Sequence, residues 1–97
     1  ITPAMVATAG GSTLDEIRNS RERSKITGIT IRGASKLATD FFARGQIDGT
    51  IAMGGSTGTL MATEVMRSLP FGIPKVAISS TAALPGSSTR YIGTGDI

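Results

Sequence analysis

The chain has 97 residues, no Cys, no His and a formal net charge of +3. That length holds one domain at most, with a modest core. The missing residue types exclude disulfides, thiolate chemistry, Cys/His zinc sites and an imidazole base within the chain, so no serine here belongs to a Ser-His-Asp triad. Only carboxylates remain as metal ligands; the seven acids are scattered and no metal site is expected. No run is apolar enough to span a membrane and no signal-peptide pattern opens the chain, so a cytoplasmic protein is expected. The chain opens on Ile1 and closes on Asp96-Ile97, and is expected to be a piece of something longer.

Thr2-Pro3 reads as an extended or turn entry, and Ala9-Gly10-Gly11 as a flexible joint. Thr13-Leu14-Asp15-Glu16 has capping-box spacing, with acids in the first turn, and predicts an exposed helix from about Leu14 to Ser24. Ile26 to Arg32 is ambiguous. Ile29 and Ile31 alternate with Thr30 and Arg32 as in a strand, and Gly28 and Gly33 disfavour a helix. Ala34, Leu37, Ala38, Phe41 and Phe42 then follow the i, i+3, i+4, i+7, i+8 spacing of an amphipathic helix that Gly45 closes. The basic residues Arg18, Arg21, Arg23, Lys25, Arg32 and Lys36 suit a polyanion surface or a solvated helix face. With one Tyr, three Phe and no Trp to stack on bases, the solvated face is favoured and direct nucleic-acid binding is not expected.

Ile47 to Met53 predicts a buried strand, and the loop Gly54-Gly55-Ser56-Thr57-Gly58-Thr59 follows it. Leu60, Met61, Val65, Met66 and Leu69 give the next helix a broad apolar stripe that Pro70 and Gly72 end. Pro74 leads into a second strand, Val76 to Ser80. Two strands joined through one helix predict a parallel βαβ crossover. Thr81 to Ser88 reads as loop, and Tyr91-Ile92-Gly93 as the start of another strand.

This order places the candidate chemistry. In open α/β sheets ligands bind beyond the carboxyl ends of the strands. Gly54, Gly55, Ser56, Thr57, Gly58 and Thr59 stand at that edge and at a helix N-terminus, where backbone N–H groups and the helix dipole favour a phosphate. Ser79, Ser80 and Thr81 end the neighbouring strand at the same edge. The other reading of the glycine loop is a tight turn capped by Ser56 or Thr57. Lys75 starts its strand at the opposite edge, where it caps the preceding helix or is solvated. Arg67 lies about 12 Å along its helix at 1.5 Å per residue, so neither serves a phosphate on the loop. GGSTGT lacks the Lys-Ser/Thr of a Walker A motif and does not match GxGxxG cleanly. Asp96 suits a ribose hydroxyl, a base or a metal-bound water, or is an ordinary turn aspartate.

The runs GGSTGT, MRSLPFGIPKVAISS and YIGTGDI, in that order, resemble the Tm-one-like ATP-binding family, named for the tomato mosaic virus resistance protein. Its bacterial members form an uncharacterised protein family. The likeness runs from Gln46 to Ile97, with Met66-Arg67, Leu69-Pro70, Gly72 and Pro74-Lys75 intact, and is looser before Gly45. Thr57 stands where the family has a glycine, which narrows the loop. Arg21-Glu22-Arg23 replaces a more typical Asp-Arg-Gly, and Ser87-Ser88-Thr89 replaces a stretch that often carries an acid. The resemblance implies that residues 1–97 form part of one Rossmann-like α/β subdomain, a parallel sheet with flanking helices, within a two-subdomain ATP-binding region. It also implies a preceding first strand and a helix through Ile26 to Arg44.

On this basis the expected ligand is ATP, with Mg as its counter-ion, or another phosphorylated small molecule. The expected partners are the remaining part of the parent protein and further copies in a homo-oligomer. Two alternatives stand beside nucleotide binding. One is a domain presenting a substrate to a neighbouring barrel of a larger metabolic enzyme; the other is a protein-interaction module. Whether the protein is an enzyme is left open, since this chain offers only carboxylates as bases.

Overall fold

The computed structural model describes residues 1–86, 88–91 and 97. The first half is helical. Thr2 caps α1 (Pro3–Ala9), its hydroxyl accepting from Met5 N at 3.2 Å. Pro3 therefore sits at the first helical position, where its missing N–H costs nothing. The entry expected there is extended at Thr2, and the helix begins one residue later at Pro3.

Gly10 closes α1, and Gly11 turns the chain at φ +85°. Thr13 caps α2 (Leu14–Asn19), accepting from Glu16 N as the capping spacing predicts. The helix is shorter than expected. It stops at Ser20, whose backbone is extended and whose hydroxyl accepts from Glu22 N.

A single helix, α3 (Arg23–Ala43), then runs through the segment whose alternation suggests a strand. Tertiary packing overrides the local pattern. Ile29 and Gly33 are buried against α1, and a Cβ on Gly33 would overlap Val6 O, as one on Gly10 would overlap Ile29 O. The glycine that argued against a helix at Gly33 is thus the contact through which two helices touch. Gly45, at φ +71°, closes α3 as predicted; its N–H donates to Phe42 O, and Gln46 N donates to Phe41 O.

The second half is the βαβ unit. β1 (Thr50–Gly54) and β2 (Lys75–Ser79) pair in parallel, in register from Thr50↔Lys75 to Gly54↔Ser79. β1 begins three residues later than Ile47. Gly49 passes against Pro74, and Thr50 N makes the first bond, to Pro74 O. Between the strands, α4 (Ser56–Arg67) packs on both and on α3, burying Thr59, Thr63 and Met66. Arg67 Nη2 donates to Tyr91 O at 2.6 Å and holds the short α5 (Ser88–Tyr91) against α4. Tyr91 thus ends a helical turn rather than starting a strand; Ile92 and Gly93 lie outside the described residues.

The two faces of the sheet differ. α4 covers one. On the other, Ile51 and Met53 are 69% and 77% exposed, and their register partners Val76 and Ile78 are 49% and 54% exposed. Parallel sheets are ordinarily covered on both faces. The whole chain exposes 6268 Å², whereas a compact monomer of its mass exposes about 5,200 Å². The architecture is that of a Rossmann-like piece of a larger α/β fold. Among the described residues no helix is long and apolar enough to cross a membrane.

Candidate functional site

The candidate site is built at the carboxyl end of β1. Gly54 closes the strand and accepts from Ser80 N at 3.2 Å, which joins the two strand ends. A Cβ on Gly54 would lie 3.0 Å from Gly58 Cα, so the immediate turn into α4 favours glycine there. Gly55 then serves as N-cap. It brings no side chain to the helix end, no other side chain caps it, and the first turn holds no acid. Among the described residues, the amide donors and the positive end of this 12-residue helix therefore have no side-chain cap and no acid in the first turn at the sheet's carboxyl edge.

Ser56 and Thr57 are exposed beside those amides. Ser80 Oγ stands across from Gly55, 3.8 Å from where a Cβ would be. Gly58 faces the other way, bordering an apolar cavity of about 310 Å³ toward α3 that Thr30, Ala34, Met53 and Met61 also line.

Thr59 and Ser79 are turned toward each other. Thr59 is 3% exposed, and its hydroxyl donates to Ser79 Oγ at 2.6 Å. Ser79 Oγ also accepts from Thr81 N and Ala82 N, each at 3.2 Å, and so shapes the turn after β2. Thr81 Oγ1 lies 3.3 Å from both Ser79 Oγ and Tyr91 Oη. This run of hydroxyls ties α4, β2 and α5 together under the edge. Of the residues read from the sequence, the structure leaves Ser56, Thr57 and Ser80 most open. Thr59 and Ser79 hold the edge's shape.

Tyr91, 2% exposed, joins the network without any signal in the sequence. Its sequence position reads as a strand start, and only the fold brings its hydroxyl to Thr81. Asp96 lies outside the described residues.

The cations are elsewhere. Lys75 Nζ donates to Pro70 O at 2.9 Å, at the opposite end of the sheet, on the turn that follows α4 rather than on the last turn of the helix. Arg67 pairs with Glu64 at 2.6 Å and reaches the carbonyls of Tyr91 and Ile97. Among the described residues, the groups that an anion at the loop would meet are backbone amides and hydroxyls. Among the described residues no group of three acids gathers that could hold a metal.

The chain is similar in sequence to three relatives. The chain is 34% identical to a UPF0261 protein of Clostridium tetani over 92 residues, covering 95% of this chain and 22% of that protein. It is 39% identical over 77 residues to a UPF0261 protein of Brucella suis, covering 79% of this chain and 18% of that one. It is 41% identical over 76 residues to the ToMV resistance protein Tm-1(GCR237) of Solanum lycopersicum, covering 74% of this chain and 10% of that protein. The chain thus spans about a fifth of the length of the bacterial relatives. Residues 1–97 match the N-terminal domain of the uncharacterised protein family UPF0261, and the chain belongs to that family.

Proposed function

We propose that the chain is part of a nucleotide-binding module, with a phosphate of ATP held at the N-terminus of α4. The observation that carries this reading is the helix end itself. It is uncapped by any side chain, free of acids in its first turn and set at the carboxyl edge of a parallel sheet. Ser56 and Thr57 supply hydroxyls beside the amides, Ser80 supplies one from the facing turn, and Gly54 and Gly55 keep the backbone accessible. ATP, rather than another phosphorylated molecule, rests on the sequence resemblance.

A charge placed at the helix end tests this. Ser56→Asp suits the helix dipole and should leave the fold intact or stabilise it by about 0.3–1 kcal/mol. The same carboxylate repels a phosphate and should weaken ATP binding at least about tenfold, or about 1.4 kcal/mol. Calorimetric titration of the protein and the variant, with melting curves on both, reads the two effects separately. ATP binding that is absent from the parent protein, or equal in the variant, removes the proposal.

A further inference from the structure

A cavity of about 430 Å³ lies between the Gly10–Ser12 turn, the start of α2 and the first half of α3. Its α3 wall is a single helical face: Lys25, Gly28, Ile29 and Arg32 follow at i, i+3, i+4 and i+7. Gly28 is the informative residue. Glycine in a helix interior is disfavoured, and packing explains it at Gly33, where a Cβ would overlap Val6 O. A Cβ on Gly28 would meet nothing within 4 Å. What glycine does there is leave the cavity wall open between two cations.

Arg32 is placed for a ligand, and the exposed Lys25 lines the same cavity. Arg32 Nη1 donates to Gly10 O at 3.1 Å, which fixes the guanidinium at the cavity's edge with its other donors to spare. Neither Lys25 nor Arg32 has a carboxylate within ion-pair distance among the described residues. Opposite them, Glu16 accepts from the Ser12 hydroxyl at 2.6 Å. The amides of Gly10, Gly11 and Ser12 close the end of α1, so side chains must provide the contacts.

We infer that this cavity is a binding site for a small organic acid bearing one carboxylate, held between Lys25 and Arg32 over Gly28. Two cations against one acid leave a single positive charge, which suits a monoanion. This site is separate from the α4 terminus and does not depend on nucleotide binding.

The test is a residue-resolved NMR titration of the isotope-labelled protein with acetate and, separately, inorganic phosphate at constant ionic strength. Acetate should shift the amide signals of Gly11, Ser12 and Gly28 saturably. Gly28→Leu, which puts a side chain into the cavity, and Lys25→Ala should each weaken that response about tenfold. Both should leave the signals of Ser56 to Gly58 in place, showing that the fold survives. Gly28→Ala should raise Tm by about 4 °C, because the helix gains and nothing is struck. The inference is overturned by any of three results: no saturable shift with acetate, an equal response in Gly28→Leu, or saturation by phosphate alone. A lower Tm for Gly28→Ala would also overturn it, since the glycine would then be structural.

Discussion

At the α1–α3 contact, Gly10 and Gly33 sit where a Cβ would overlap the facing helix's carbonyls; at the β1–α4 junction, Gly55 and Gly58 have at most a distant neighbour at that position. The same residue type closes the first region and opens the second. In the first, glycine lets two helices approach until backbone meets backbone. In the second, it gives the chain room to turn from strand to helix and leaves amides uncovered at the helix end. Gly54 is intermediate, with a tight but not overlapping Cβ position. A glycine count treats these positions alike, although substitution should affect them with opposite sign.

Three substitutions would sharpen or break that contrast. The largest effect is expected from Gly33→Ala, which forces α1 off α3 and should cost about 3 kcal/mol. Its Tm should fall by on the order of 10 °C. An unchanged melting curve would mean that the helices do not touch there. Thr59→Val removes the hydroxyl that donates to Ser79 and should cost about 1 kcal/mol in chemical denaturation. The turn amides of Thr81 and Ala82 should stay protected from hydrogen exchange, because Ser79 Oγ still accepts from both. The smallest effect, of opposite sign, is expected from Gly58→Ala. Its methyl points into open space and its helix propensity improves, for a gain of up to about 1 kcal/mol. A destabilised Gly58→Ala would show that the α4 junction is as tightly closed as the helix contact.

The βαβ half was legible because its signals are local. An apolar run, a glycine loop, an amphipathic stripe and the Pro70–Pro74 reversal each act within a few residues. Their order implies a parallel crossover and puts the glycine loop and Ser79–Thr81 at one edge. The helical half was less so. Thr2-Pro3 reads as an extended or turn entry, and its role as a helix cap shows only once the helix after it is known. Ile29 and Ile31 alternate with polar residues as a strand would; the family resemblance implies the helix found there, and contact with α1 gives its physical reason. The division of labour among the hydroxyls was also hidden. Nothing in GGSTGT says that Thr59 turns inward to Ser79 while Ser56 and Thr57 remain outside.

The sequence by itself determined that the chain has no thiol, imidazole or disulfide chemistry, that its second half is strand–loop–helix–strand, and that Gly45 and Thr13 bound helices. Each follows from residue type or from short-range periodicity. Tertiary structure decided what depends on residues far apart in the chain. It made Gly33 a helix contact and Gly28 an open wall. It paired Thr59 with Ser79 across twenty positions and brought Tyr91 to Thr81. It also left Ile51, Met53, Val76 and Ile78 on an uncovered face. A side chain's role there is set by what the fold places opposite it, which the local pattern does not specify.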